Sequence, residues 1–176
     1  MELETDLNWL KEMALERQEE NLQFREFLLR MDSRELDTKV HGLNEQVSAS
    51  IDCTTCGNCC RSFIVSLDEA DKKRLEDHLG VASATVNRKY LEKSQMGQWV
   101  FSHIPCSFLK DNRCTVYSAR PADCRDYPHL HQDRINAHLQ AILGSYGICP
   151  IVYNVMEMLK EETGFLRDGP DPEGDQ

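Results

Sequence analysis

The chain has no run of 18 or more apolar residues, so nothing in it reads as a membrane span. Its first residues, MELETDLNWL, lack the basic segment and apolar core of an export signal. Positive charge is scarce: 20 Lys and Arg stand against 30 Asp and Glu, a formal net charge of -10. A general nucleic-acid binder needs a basic surface against phosphates, so that class is not expected. The chain also lacks a glycine-rich phosphate loop, an H-E-x-x-H helix and a nucleophile elbow. These absences leave a cytoplasmic protein as the expectation, without nucleic-acid or membrane partners. In a reducing compartment disulfides are uncommon.

Cysteine is what the chain has. Of its eight cysteines, four fall in one short block, CTTCGNCC, as Cys53, Cys56, Cys59 and Cys60. The others are Cys106, Cys114, Cys124 and Cys149. One or two buried thiols serve as small hydrophobes, but four crowded together do not. A C-x2-C unit lets two sulfurs converge on one ion from a tight turn, and Gly57 relieves the backbone there. Zinc takes four such ligands at about 2.3 Å. Iron–sulfur clusters also take four thiolates, often from C-x2-C-x2-C with a remote Cys-Pro. Cys149-Pro150 supplies that dipeptide. One partition is therefore Cys53, Cys56 and Cys59 with Cys149, leaving Cys60, Cys106, Cys114 and Cys124 as a second set. It rests partly on Cys59 and Cys60 being adjacent, since neighbouring side chains diverge. A bridging thiolate, or a single site with spare cysteines, is the alternative. His129 and His131 follow Cys124 closely and are candidate nitrogen ligands. A lone histidine is more often a surface or hydrogen-bonded residue. Arg120 and Arg125 flank Cys124 and are candidates to balance thiolate charge from outside the ligand shell. Ion pairing with Asp123 or Asp126 is the plainer alternative.

The first 50 residues contain no proline and one glycine, Gly42. Their apolar residues recur in steps of three and four, from Leu3 through Leu10 and Leu28 to Val47, which predicts helix. The stripe falters at Arg17 and Asn21 and breaks near Asp32-Ser33, so one long helix or two are expected. This segment holds 12 acidic and 6 basic residues. Its stripe either packs on its own domain or pairs with a second chain or another protein. Beyond the cysteine block, Phe63–Val65 reads as a strand. Ser66 caps a helix reaching Leu79, and a second helix runs from Ser83 to about Lys93. Trp99–Phe101 reads as a strand, and Cys106–Tyr117 as a hairpin turning at residues 110–113. Short helical structure follows Pro121, and further helices cover 133–143 and the stretch from Pro150 to about Thr163.

The fold class expected is mainly α with short β-hairpin elements, a small α+β cysteine-cluster domain behind a long N-terminal helix. The expected divisions are 1–49 for the amphipathic extension, 50–163 for the cysteine domain and 164–176 for a disordered acidic tail.

CTTCGNCC, PCSFL at 105–109, CTVYSARPADCRDYP at 114–128 and CP at 149–150 together resemble the YkgJ-type cysteine-cluster family of zinc- or iron-chelating domains. The likeness spans roughly residues 50–155. It implies a small cytoplasmic bacterial protein, all eight cysteines as metal ligands, and Arg120, Pro121 and Arg125 as motif residues. Three functions are compatible with this. One is a zinc- or iron-binding protein. A second is an iron–sulfur redox protein, or an enzyme working on a protein or small molecule at the cluster. A third is an interaction module stabilised by its metal.

Overall fold

A computed structural model describes residues 3–165. Sixty per cent of it is helical, with short antiparallel strands, so the chain is mainly α as its sequence implies. Most of the expected acidic tail lies outside the described residues. The chain divides into two compact units. One joins the segment ending at Ile51 to the segment beginning at Pro128, and the other is Asp52–Tyr127. Residues 128–163, expected within the cysteine domain, thus group with the N-terminal helices.

The helical unit contains α1 (Leu7–Glu16), α2 (Gln18–Leu29), α3 (Ser33–Ser48), α8 (Ile135–Gly144) and α9 (Pro150–Thr163). The N-terminal segment is therefore three helices. Arg17 separates the first two at φ -98°, ψ 18°. Asp32 caps the third, its carboxylate accepting from the amides of Arg34 and Glu35 at 3.0 Å. The predicted stripe turns inward within this unit. Leu10, Phe24, Leu28, Leu36, Val40 and Val47 are fully buried, and each such side chain contributes roughly 1.5–3 kcal/mol of burial. α9 is buried on nearly every side from Pro150 to Met156, as an apolar central helix must be. Pro150 opens it, where a missing amide proton costs nothing. Asn154 ties in the N-terminus, accepting from Glu4 N at 3.0 Å and donating to Glu4 O at 2.8 Å.

Lys160 sits inside this unit with no exposed surface. Its ammonium pairs with Glu20, and with Glu157 at 2.8 Å. Glu157 also accepts from Tyr146 Oη at 2.7 Å and pairs with Arg17.

The cysteine unit contains the remaining elements. They are α4 (Cys59–Ser62), β1 (Ser66–Leu67), α5 (Glu69–Leu79), α6 (Ser83–Tyr90), β2 (Leu91–Lys93), β3 (Trp99–Phe101), β4 (Leu109–Lys110), β5 (Arg113–Cys114) and α7 (Ala122–Asp126). A three-stranded antiparallel sheet runs β1-β3-β2. It packs into a core of Leu67, Leu75, Val86, Leu91, Phe101, Phe108 and Val116. The strand expected at 63–65 lies three residues later, with Ser66 opposite Val100 and Leu67 opposite Trp99. Ser66 is therefore in the sheet and does not cap α5. That role falls to Asp68, in a reciprocal box with Asp71. The second helix ends at Tyr90, because Leu91–Lys93 pair with β3.

Breaking one partner of a buried ion pair leaves the other charge uncompensated, at a cost of about 3–5 kcal/mol. Lys160→Met removes the partner of the half-buried Glu20 but leaves Glu157 its bonds to Arg17 and Tyr146, so a smaller loss of about 1–3 kcal/mol is expected in urea unfolding. A loss below about 1 kcal/mol would show that the network contributes nothing net.

Candidate metal centre

Local sequence builds the thiol-bearing loops. Asp52 opens a 3-10 turn over Cys53–Thr55, its carboxylate accepting from Thr54 N at 2.9 Å and from the Thr54 hydroxyl at 2.6 Å. These bonds, the side-chain one foremost, hold the Asp52 carboxyl below its ordinary range. The chain reverses at Gly57 with φ +63°, and a Cβ there would lie 2.9 Å from Asn112 O. Cys59 and Cys60 follow on the first turn of α4.

Opposite lies the β4–β5 hairpin, with Leu109 facing Cys114 and Lys110 facing Arg113. Its two turn residues, Asp111 and Asn112, both have positive φ. This is the type I′ arrangement of two-residue hairpins, in which Asp and Asn are tolerated. Thr115 closes the hairpin base, donating from N at 2.8 Å and from Oγ1 at 3.0 Å to Phe108 O. Cys106 N donates to Cys60 O at 2.8 Å and joins the two loops. Arg61 adds a second bridge, from Cys56 O at 3.4 Å to the Asn112 side chain. α7 brings Cys124. The buried Asp71 carboxylate accepts from Ala122 N at 3.0 Å, and Asp123 accepts from the Ser66 hydroxyl.

The structure thus gathers seven cysteines in one unit. Cys59 is their electrostatic centre: its charge acts on Cys53, Cys60, Cys106, Cys114 and Cys124. Hydrogen bonding between the adjacent thiols lowers Cys59 to about 7 and pushes Cys60 upward. Burial raises Cys53, Cys106 and Cys114, and lifts Cys124 to about 12.

Arg120 is the cation that acts on this group, favouring the thiolates of Cys53, Cys59 and Cys114. Its guanidinium lies 3.7 Å over the Tyr117 ring. Its buried Nε has no hydrogen-bond partner. Arg125 acts on Arg120, donating from Nη1 to its carbonyl at 3.0 Å. Cys149 is in the helical unit, buried at the start of α9. His129 and His131 also belong to that unit. His129 Nδ1 is 3.2 Å from Gln132 Nε2, and His131 is exposed.

The donor chemistry fits zinc or iron: soft thiols gathered around one residue, beside an arginine N–H with no acceptor. The side chains are not closed into a ligand set. Among the described residues, no three Cys, His, Asp or Glu side chains come close enough to hold one ion. Binding therefore requires the thiols to deprotonate and draw in, as expected where ligation couples to folding. The bridges made by Arg61, Asp71 and Asp123 were not legible from spacing. Only Asp71 left a signal, as the fourth residue of the D-x-x-D box.

Two outcomes follow. Gly57→Ala places a side chain in left-handed backbone, costing roughly 1–3 kcal/mol, and against Asn112 O; its melting temperature should fall by several degrees. An unchanged melt would mean that the loop and hairpin do not meet at Gly57. In metal-free, reduced protein, Cys59 should alkylate with a rate rising through about pH 7, and Cys124 should stay slow until far more alkaline pH. Because the folded-state value of Cys59 lies below the ordinary one, its ionisation favours the metal-free fold above the ordinary thiol range. That contribution fades as pH falls through about 7. Equal alkylation of Cys59 and Cys124 at neutral pH would contradict the assignment.

Comparison with known proteins is consistent with this chemistry. No curated protein and no solved structure matched the chain. A family model, CxxCxxCC, described as "Putative zinc- or iron-chelating domain", matches residues 52–142 and takes in the seven gathered cysteines. The match covers more than half of the chain, which belongs to the CxxCxxCC family.

Proposed function

We propose that the protein chelates zinc or iron through Cys53, Cys56, Cys59, Cys60, Cys106, Cys114 and Cys124, with Arg120 balancing thiolate charge. The observation that carries this is the placing of seven thiols in one compact unit, on two loops joined by the Cys106 N to Cys60 O bond and on a short helix anchored by Asp71 and Asp123. A structural fold would not need that concentration of ionisable sulfur. The electrostatic pattern supports two groupings. Cys60 feels Cys106 and Cys114, and Cys124 feels the same pair. Cys53 feels Cys56 and Cys59. Cys59 belongs to both groups, as a bridging thiolate would. A bound zinc ion would cross-link the loops, whereas iron held with sulfide would add a one-electron redox centre. In either case this chain's own part is to present thiolates, shield them with the Phe108 core, and set Arg120 beside them.

The test is anaerobic purification with metal and acid-labile sulfide analysis. At least one metal ion per chain is expected. Sulfide in proportion to iron selects the cluster form, and zinc without sulfide selects the simple chelate. Cys59→Ser should remove metal from both groupings and Cys56→Ser from one, so the first variant should retain less. Metal well below one per chain after reconstitution ends the proposal.

A further inference from the structure

One polar face of α3 lines a cleft within the helical unit. Ser33, Arg34, Asp37, Thr38 and His41 recur in steps of three and four, which stacks them on one side of the helix. Asp133 and Arg134, just before α8, form the opposite wall. The cleft holds about 530 Å³, within the range of small-molecule sites. No apolar side chain lines it, so its occupant must be polar.

Two contacts from α3 fix the opposite wall. Asp37 accepts from Arg134 N and Ile135 N, both at 2.8 Å. His41 Nε2 donates to Gln132 O at 3.0 Å. Arg134 is held there at φ +59°, ψ 49°, a left-handed conformation uncommon for a residue with a Cβ. Glycine would take it more readily, but arginine adds a guanidinium to the cleft. Such outliers persist where their surroundings over-determine them, ligand clamps among them.

Most of the other polar lining groups are engaged. Both Asp37 oxygens accept amides, the Thr38 hydroxyl donates to Arg34 O at 2.8 Å, and Ser33 Oγ lies 3.4 Å from Asn136 Oδ1. The guanidiniums of Arg34 and Arg134 differ: among the described residues, neither has a hydrogen bond or an ion pair. Asp133 shares the cleft and pairs with neither. Two unengaged planar forks therefore face one cavity, on a chain whose net charge of -10 repels anions elsewhere. That fork matches the oxygens of a carboxylate or phosphate. We propose that this cleft binds a small polar molecule through a carboxylate or phosphate group held by Arg34 and Arg134. Asp133 remains to accept from a hydroxyl or amine of the same ligand.

Calorimetric titration of the full chain with inorganic phosphate, and separately with succinate, tests this. Saturable binding of at least one is expected, with a dissociation constant on the order of 1 mM. Tighter phosphate marks a phosphorylated ligand, and tighter succinate a carboxylic acid. Arg34→Gln should weaken binding roughly ten-fold, as one charge-assisted contact is lost. Lys11→Gln, exposed on α1 and outside the cleft, should not. Arg134→Gly relieves the backbone, so its melting temperature should rise while binding falls roughly ten-fold. Absence of binding of either anion up to about 20 mM overturns the proposal. So does an equal loss in Lys11→Gln and Arg34→Gln, which would mark diffuse attraction to positive charge, or an Arg134→Gly chain that binds as tightly as its parent.

Discussion

Burial of thiols governs the cysteine unit. Taking a thiolate out of water is costly, which is the main reason that Cys53, Cys106, Cys114 and Cys124 all resist ionisation. Repulsion from a charged Cys59 acts in the same direction, so each thiolate formed opposes the next. Arg120 offsets part of this for three thiols. A divalent cation would offset far more, so the unit is an array of thiols that gains stability when a metal replaces their protons.

The scaffold is arranged to hold that array without relying on the thiols themselves. Gly57 lets the first loop lie against the hairpin turn, Cys106 joins the hairpin to α4, and the carboxylates of Asp71 and Asp123 anchor α7. Cys106 and Cys114 also pack against the Phe108 core, which gives the ligand loops a hydrophobic footing. The helical unit solves a separate problem. It buries the ammonium of Lys160 between two carboxylates and spends its main leucine stripe internally.

Much of the local structure was legible in particular residues. Asp-Asn at 111–112 marked the hairpin turn, Gly80 the end of α5, Pro150 the start of α9 and Asp32 the break before α3. The errors have a common cause. Ser66 looked like a cap, and Leu91–Lys93 like the end of a helix, because β3 pairs with both. Pairing with that strand, far along the chain from Ser66 and close to Leu91–Lys93, overrides both helical signals. The N-terminal segment looked like an extension for a similar reason: its link to Asn154 spans 150 positions.

The sequence by itself determined the chemistry: eight thiols, four of them crowded in one short block, on an acidic chain. Those properties depend on composition and short spacing, which folding does not alter. Only the tertiary structure decided which thiols influence one another. Within the cysteine unit it set Cys59 where its charge acts on five others, and Arg120 where it favours three of the thiolates. Electrostatic coupling falls with distance through space, and distance along the chain says little about it.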